Sequence, residues 1–137
     1  MSTKVNIEAT ISAPVAKVWD FWNKPEHITK WNFAHESWHC PSAKNDLKVG
    51  GKLQSRMEAK DGSFGFDFEG TYNEVVDQKR IVYTIADGRR VETDFTDVGD
   101  KTKIATIFEA ESQNPVEMQQ GGWQAILDNF KKYAEAN

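Results

Sequence analysis

Apolar residues recur at every second position over several tracts of this chain and at three- and four-residue intervals over others, and that change of period divides it into strands and helices. Val5, Ile7, Ala9 and Ile11 share one face of an alternating run, the mark of a half-buried strand. Pro14 suits a first helical position, and Val15, Val18, Trp19 and Trp22 follow along one stripe, which predicts a short helix from Pro14 to Trp22. Pro25 opens a second helix of one or two turns with Ile28 and Trp31 on its buried side. From Asn32 to Ala43 neither period holds. This segment reads as an irregular connection carrying Phe33, His35, Trp38, His39, Cys40 and Pro41.

The middle of the chain returns to period two. Gly50-Gly51 interrupts Leu47-Lys48-Val49 and Lys52-Leu53, predicting a bend or bulge within a strand. Leu53, Ser55, Met57 and Ala59 then alternate with Gln54, Arg56, Glu58 and Lys60 up to Asp61-Gly62, a strong hairpin signal. Phe66, Phe68, Gly70 and Tyr72 share the next face until Val75-Val76 breaks the alternation, predicting a bulge or strand end. Ile81, Tyr83 and Ile85 form a further strand, Asp87-Gly88 a second turn, Val91, Thr93 and Phe95 the returning strand, and Asp97 to Asp100 a third turn. Thr102, Ile104, Thr106 and Phe108 face one way on the last strand. Connections this short make the strands an antiparallel meander.

Asn114-Pro115-Val116-Glu117 predicts a helix start, with Asn114 as cap, and the helix runs to Ala136. Trp123, Ile126, Leu127, Phe130, Tyr133 and Ala134 lie on one stripe that must face the sheet. Glycine inside a helix costs about 1 kcal/mol relative to alanine. The pair Gly121-Gly122 therefore predicts close backbone approach or a bend. The expected fold is α+β, a curved antiparallel sheet of about six or seven strands in the order β-α-α-β-β-β-β-β-β-α.

Composition narrows the function without naming it. The 137 residues are read as one domain with enough apolar content, 39%, for a proper core. Seventeen Lys and Arg against 21 Asp and Glu give a net charge of -4, so the general attraction that nucleic acid requires is missing. The single cysteine, Cys40, favours a reducing compartment, and neither a signal-peptide pattern nor a run long enough to span a membrane is read from the sequence. The expected setting is cytoplasmic, with no nucleic-acid or membrane partner.

Five Trp and eight Phe supply a heavy load of rings that can line a pocket or fill a core. His35 and His39, four apart with Cys40 and Glu36 near, have a spacing at which one helical turn would aim two imidazoles at a metal. The segment has no helical period, however, and exposed loop histidines with no metal are the expectation. Arg56, Glu69, Glu92, Asp94 and Tyr83 are the titratable groups a general acid and base would draw on. Of these Tyr83 is in phase with Ile81 and Ile85 and would present a hydroxyl inside. Nucleophile-elbow, phosphate-loop and dinucleotide motifs do not occur, and no cofactor is expected.

Ile11-Ser12-Ala13-Pro14 leading to Val18-Trp19, Pro25-Glu26-His27 to Trp31, Gly50-Gly51-Lys52-Leu53, Gly70-Thr71-Tyr72, Arg80-Ile81-Val82-Tyr83 and Gly122-Trp123 through Leu127 to Tyr133 carry a resemblance over nearly the whole chain. It resembles the activator-of-Hsp90-ATPase-homologue domain proteins of the START-like superfamily, also called SRPBCC. The resemblance implies a helix-grip fold, with an incomplete barrel holding the long helix and a cavity between them that takes up an apolar or amphipathic molecule. The expected function is binding of a small hydrophobic or aromatic ligand, with Trp31, Trp38, Met57, Phe68, Tyr83, Phe95, Trp123 and Leu127 as contributors. Of the rings, Trp31, Phe33 and Trp38 are expected at the ligand ahead of Trp19 and Trp22, which helix spacing explains. The alternatives are an interaction module regulating a chaperone of the Hsp90 type, and a cyclase- or lyase-type enzyme pairing Tyr83 with a carboxylate.

Overall fold

The computed structural model describes residues 3–137. Strand β1 (Lys4–Ile11) leads into helices α1 (Val15–Asn23) and α2 (Pro25–Trp31). Six strands follow: β2 (Trp38–Asn45), β3 (Lys52–Ala59), β4 (Gly65–Val76), β5 (Arg80–Ile85), β6 (Arg90–Asp97) and β7 (Thr102–Glu109). Helix α3 (Val116–Ala136) closes the chain. The seven strands form one antiparallel sheet in the order β1-β7-β6-β5-β4-β3-β2. Short connections pair each strand from β2 to β7 with the next, whereas β1 joins at the far end, beside β7. Helices α1 and α2 therefore carry the chain from one edge of the sheet to the other, and the curled sheet wraps the length of α3. At 21 residues α3 is about 31 Å long, enough to cross the sheet.

The segment expected to be irregular contains a strand. Residues 38–45 pair with β3, with Trp38 opposite Ala59, His39 opposite Glu58 and Asn45 opposite Leu53. The alternation is scrambled there because the register shifts between His39 and Ser42, across Cys40 and Pro41. A proline that cannot donate and an extra residue are tolerated together at a bulge on an edge strand. Leu47 to Gly51 correspondingly form the turn between β2 and β3, with no strand interrupted there. Gly51 is required in that turn: a Cβ at its position would lie 2.1 Å from the Asp46 carbonyl oxygen.

The break at the end of β4 is a register shift between Tyr72 and Glu74, and the strand stops at Val76. At the start of α3, Pro115 occupies the cap position and no side chain caps the helix. Asn114 bonds Glu111 instead, through its Nδ2 at 2.6 Å. Gln119 organises this end: its Oε1 accepts from the Glu111 amide at 2.8 Å, and its Nε2 donates to the carbonyls of Glu111 and Asn114. The expectation of close approach at Gly121 and Gly122 fails, since a Cβ at either would meet nothing within 4 Å.

Helix α3 also protects an exposed edge. Strand β1 is outermost, and its unpaired carbonyls would template further strand pairing. Gln120 Nε2 donates to Asn6 O, Gln124 Nε2 to Glu8 O and Lys131 Nζ to Thr10 O, at 3.2, 3.2 and 2.7 Å. Four helical residues rise about 6 Å and two strand residues about 6.6 Å, so Gln120 and Gln124 meet carbonyls two residues apart, while the longer Lys131, further along the helix, serves the next one.

Candidate functional site

The interior is divided. Trp19, Trp22, Trp31, Phe95 and Phe130 form a dense aromatic cluster, with Phe130 set edge-on to both Trp22 and Trp31 at 4.9 Å. Phe130 and Phe108 are fully buried, each ring contributing about 1.5–3 kcal/mol by leaving water. Beyond this cluster a cavity of about 340 Å³ remains between the sheet and α3.

Alternation within each strand decides the cavity wall. Ser55 and Met57 face inward from β3, Phe68 and Tyr72 from β4, Ile81 and Tyr83 from β5, Val91 and Thr93 from β6, and Thr106 from β7. Trp123, Ile126 and Leu127 form the helical side, while Trp22 and Trp31 close one end, stacked at 4.9 Å. Trp123 lies flat on Phe108 at 4.2 Å and edge-on to Phe68 at 6.4 Å, so rings from helix and sheet face each other across the opening.

The polar groups of the wall are mostly paired with one another; the buried Ser55 Oγ has no hydrogen-bond partner among the described residues. Tyr72 donates its hydroxyl to Asn45 Oδ1, Asn45 Nδ2 donates to Asn23 O at 2.7 Å, and Asn23 Nδ2 donates to Trp19 O at 2.9 Å. Thr93 and Thr106 bond each other at 3.0 Å. At the other end the accounting is also incomplete. The Tyr83 hydroxyl has no hydrogen-bond partner among the described residues, and its ring stands edge-on to Phe68 and Tyr72. Burial pushes the phenols of Tyr72 and Tyr83 far above their usual range; the nearby Tyr72 adds to the rise at Tyr83, and the positive charge of Arg89 opposes it. The Tyr83 ring fits because β4 carries glycine beneath it: a Cβ at Gly70 would lie 2.6 Å from Tyr83 Cδ2.

Arg89 reaches the same end from the β5–β6 hairpin. Ala86 N donates to Glu69 O, tying the hairpin to β4, and Arg89 Nη1 donates to Glu109 O, tying it to the end of β7. Its Nε bonds Asp87 Oδ2 at 2.8 Å. Glu111 and Gln119 complete this rim.

Six of the eight residues expected at a ligand line the cavity: Trp31, Met57, Phe68, Tyr83, Trp123 and Leu127. Phe95 does not, because its ring is held between Trp19 and Trp22 in the aromatic cluster. Trp38 does not either; as the first residue of the edge strand it packs against Phe64 and Phe66 at the β3–β4 hairpin. Phe33 is likewise off the wall, whereas Trp22 is on it. Helical spacing shows which stripe is buried but not whether a void lies beneath. The polar wall residues Ser55, Thr93 and Thr106 were visible as polar positions in phase with an apolar face. Arg89 left no such signal, since a hairpin residue's reach depends on how the strands curl.

The other candidate chemistry lies elsewhere. Glu92 and Asp94 are on the opposite sheet face from Tyr83, bound to Arg80 at 3.0 and 2.9 Å. Arg56 pairs with Glu58 and Asp67, and Glu69 accepts from Gln54. Pairing of Tyr83 with any of these carboxylates is therefore ruled out. His35 precedes β2 and bonds Ser37, His39 lies on β2 at 3.7 Å from Glu58, and Cys40 is buried, its thiol pushed up by desolvation. A turn at Glu36 and Ser37, closed by Trp38 N donating to His35 O, followed by the start of β2, stands where a helical turn would have joined the two imidazoles.

A curled antiparallel sheet gripping a C-terminal helix, with a cavity between them, defines a helix-grip protein of the START-like kind, a fold commonly used to bind small ligands. The chain belongs to the Activator of Hsp90 ATPase homolog 1-like protein family, whose model matches residues 12–135. It is similar to the AHSA1-like protein from Aeromonas hydrophila, at 43% identity and a TM-score of 0.92 over 98% of this chain and 93% of that one. Chr148 from Cytophaga hutchinsonii is 51% identical, with a TM-score of 0.84 over the same shares. The protein NE0264 from Nitrosomonas europaea shares the fold at 19% identity and a TM-score of 0.83, over 97% of this chain and 94% of that one. No curated protein matches. Among the described residues no helix is long and apolar enough to cross a membrane.

Proposed function

We propose that this protein binds a small hydrophobic or aromatic molecule in the cavity between its sheet and α3, in a cytoplasmic setting. The observation carrying this reading is the 340 Å³ of space left between rings that approach from both sides, Trp123 on the helix and Phe68 on the sheet. Such a volume matches the lower range of small-molecule sites, and the stacked Trp22–Trp31 pair offers a flat apolar end. A thermal-shift screen against fatty acids, sterols, flavonoids and polyketide-like aromatics tests it. A ligand at one hundred times its dissociation constant adds about 2.7 kcal/mol to the folded state, which for a chain of this size raises the melting temperature on the order of 10 °C. A saturable shift within one chemical class, with matching quenching of tryptophan fluorescence, is expected. No shift and no quenching with any class would sink the reading.

A second reading, an interaction module for a chaperone of the Hsp90 type, is favoured by a different feature. Phe64 and Phe66 are 60% and 42% exposed and pack with Trp38 into one aromatic cluster at the β3–β4 hairpin. Titration of a purified Hsp90 with the native protein and with Phe64→Ser decides it. Binding weakened by the substitution supports a docking surface, and no binding of the native protein removes it.

A further inference from the structure

We propose that Tyr83 and Arg89 form the polar end of the cavity and select a flat apolar ligand carrying a neutral acceptor oxygen, such as a ketone, over the corresponding carboxylate. This rests on the binding reading above and adds the ligand's polar chemistry and its orientation.

The first observation is an imbalance of donors. Most hydroxyls and amides deeper in the cavity are engaged with one another, through the Tyr72–Asn45–Asn23 chain and the Thr93–Thr106 pair, and the Ser55 hydroxyl on β3 is one further donor without a partner among the described residues. The Tyr83 hydroxyl, on the same wall, has no acceptor among the described residues. Arg89 uses Nε on Asp87 and Nη1 on the Glu109 carbonyl, leaving Nη2 without an acceptor among the described residues. Donors without acceptors at the rim of an apolar cavity fit a ligand oxygen that only accepts, since a donor that a bound ligand shuts off from water costs free energy until it is paired.

The second observation is charge. An arginine at a cavity rim invites assignment to an anion, but Arg89 already faces the Asp87 carboxylate at 2.8 Å. Glu111 lines the same cavity, and its Oε1 is satisfied by the Asn114 amide and Nδ2 with no cation paired to it among the described residues. The rim therefore holds one cation and two carboxylates. A ligand carboxylate would be a third, poorly screened beside apolar walls. A ketone oxygen gains the donors without that repulsion. Its apolar body then lies toward the stacked rings of Trp22 and Trp31.

Three ligands on one scaffold test this: 2-acetonaphthone, 2-ethylnaphthalene and 2-naphthoate, titrated by tryptophan fluorescence into the native protein and Tyr83→Phe. The ketone is expected to bind about tenfold tighter than the hydrocarbon, the worth of one neutral hydrogen bond at about 1.4 kcal/mol per decade, and tighter than the naphthoate. Tyr83→Phe keeps the ring over Gly70 and should bring the ratio of ketone to hydrocarbon affinity toward one. In the native protein, nuclear Overhauser contacts should place the acetyl methyl by the Tyr83 ring and the naphthalene protons by Trp22 and Trp31. Equal affinity for ketone and hydrocarbon, a tightest-binding naphthoate, a ratio unchanged in Tyr83→Phe, or the reversed orientation would each overturn this inference while leaving ligand binding intact. Failure of all three compounds to bind would overturn both.

Discussion

Replacing Gly70 with alanine sets two terms of opposite sign against each other, and the structure says which wins. Gly70 does not have a positive φ, so alanine meets no backbone penalty there and gains about 0.4–1 kcal/mol by restricting the unfolded chain. Against this, the new Cβ would lie 2.6 Å from Tyr83 Cδ2, 3.2 Å from Cε2 and 3.3 Å from Cγ. Contact extends to the base of the ring, so tipping its far edge does not relieve it, and the whole ring must move toward the cavity. Forcing a side chain aside in this way costs about 1–3 kcal/mol. Net destabilisation of about 1 to 2 kcal/mol is expected, read by urea denaturation. A double-mutant cycle isolates the cause: in a Tyr83→Ala background the clash is absent, and Gly70→Ala should become neutral or stabilising. Destabilisation of the same size in both backgrounds would refute the reasoning, because the cost would then come from β4 itself.

Three further outcomes follow from other parts of the molecule. Leu127→Ala should cost about 2–3 kcal/mol and Phe130→Ala about 3–5, measured by denaturation; both are buried, but Leu127 borders the cavity and has fewer partners to lose, and equal costs would contradict that division of the interior. Stability should fall as pH rises past about 10: the raised phenols of Tyr72 and Tyr83 stay protonated in the fold while their unfolded counterparts ionise near 10.0, so the unfolded state binds fewer protons and gains. Tyr83→Phe should reduce that slope by up to about 1.4 kcal/mol per pH unit between pH 10 and 11, and an unchanged slope would count against burial as the cause. Removing Gln120 and Gln124 together, as Q120A/Q124A, should cost about 0.5–1.5 kcal/mol for each lost bond and favour self-association through β1, read by size-exclusion chromatography. A monomer of native stability would mean that water serves the β1 carbonyls equally well.

Burial gives different weight to charges that look alike in sequence. Arg80 meets Glu74, Glu92 and Asp94 on the outer sheet face, where solvent screens the pairs and their combined contribution is small. Arg89 makes a comparable ion pair with Asp87, yet it borders an apolar cavity that contains an unpaired phenol. Position relative to the sheet separates a surface ion cluster from a recognition element.

Most of the architecture was legible in one dimension. Period-two runs located β1 and β3 to β7, proline and the three-four spacing located α1 and α2, and the Trp123-to-Ala134 stripe located the buried face of α3, because burial on one side of a regular element imposes its period on the sequence. Strand β2 escaped because the bulge across Cys40 and Pro41 shifts the alternation midway, and the Gly121-Gly122 pair suggested a contact the packing does not make. Inward residues such as Met57, Phe68 and Tyr83 could be named in advance. Whether an inward side chain packs or faces empty space could not. Phe95 and Val91 are both buried on β6, yet Phe95 meets Trp19 and Trp22 while Val91 faces the cavity, since α1 packs over the Phe95 end of that strand. The sequence determined the elements and their buried faces, which depend on local period and short-range turns. Only the tertiary structure decided where the cavity opens, that Trp22 lines it and Trp38 does not, and that Arg89 shares its rim with Tyr83 and Glu111, because each depends on distances between elements that no local pattern encodes.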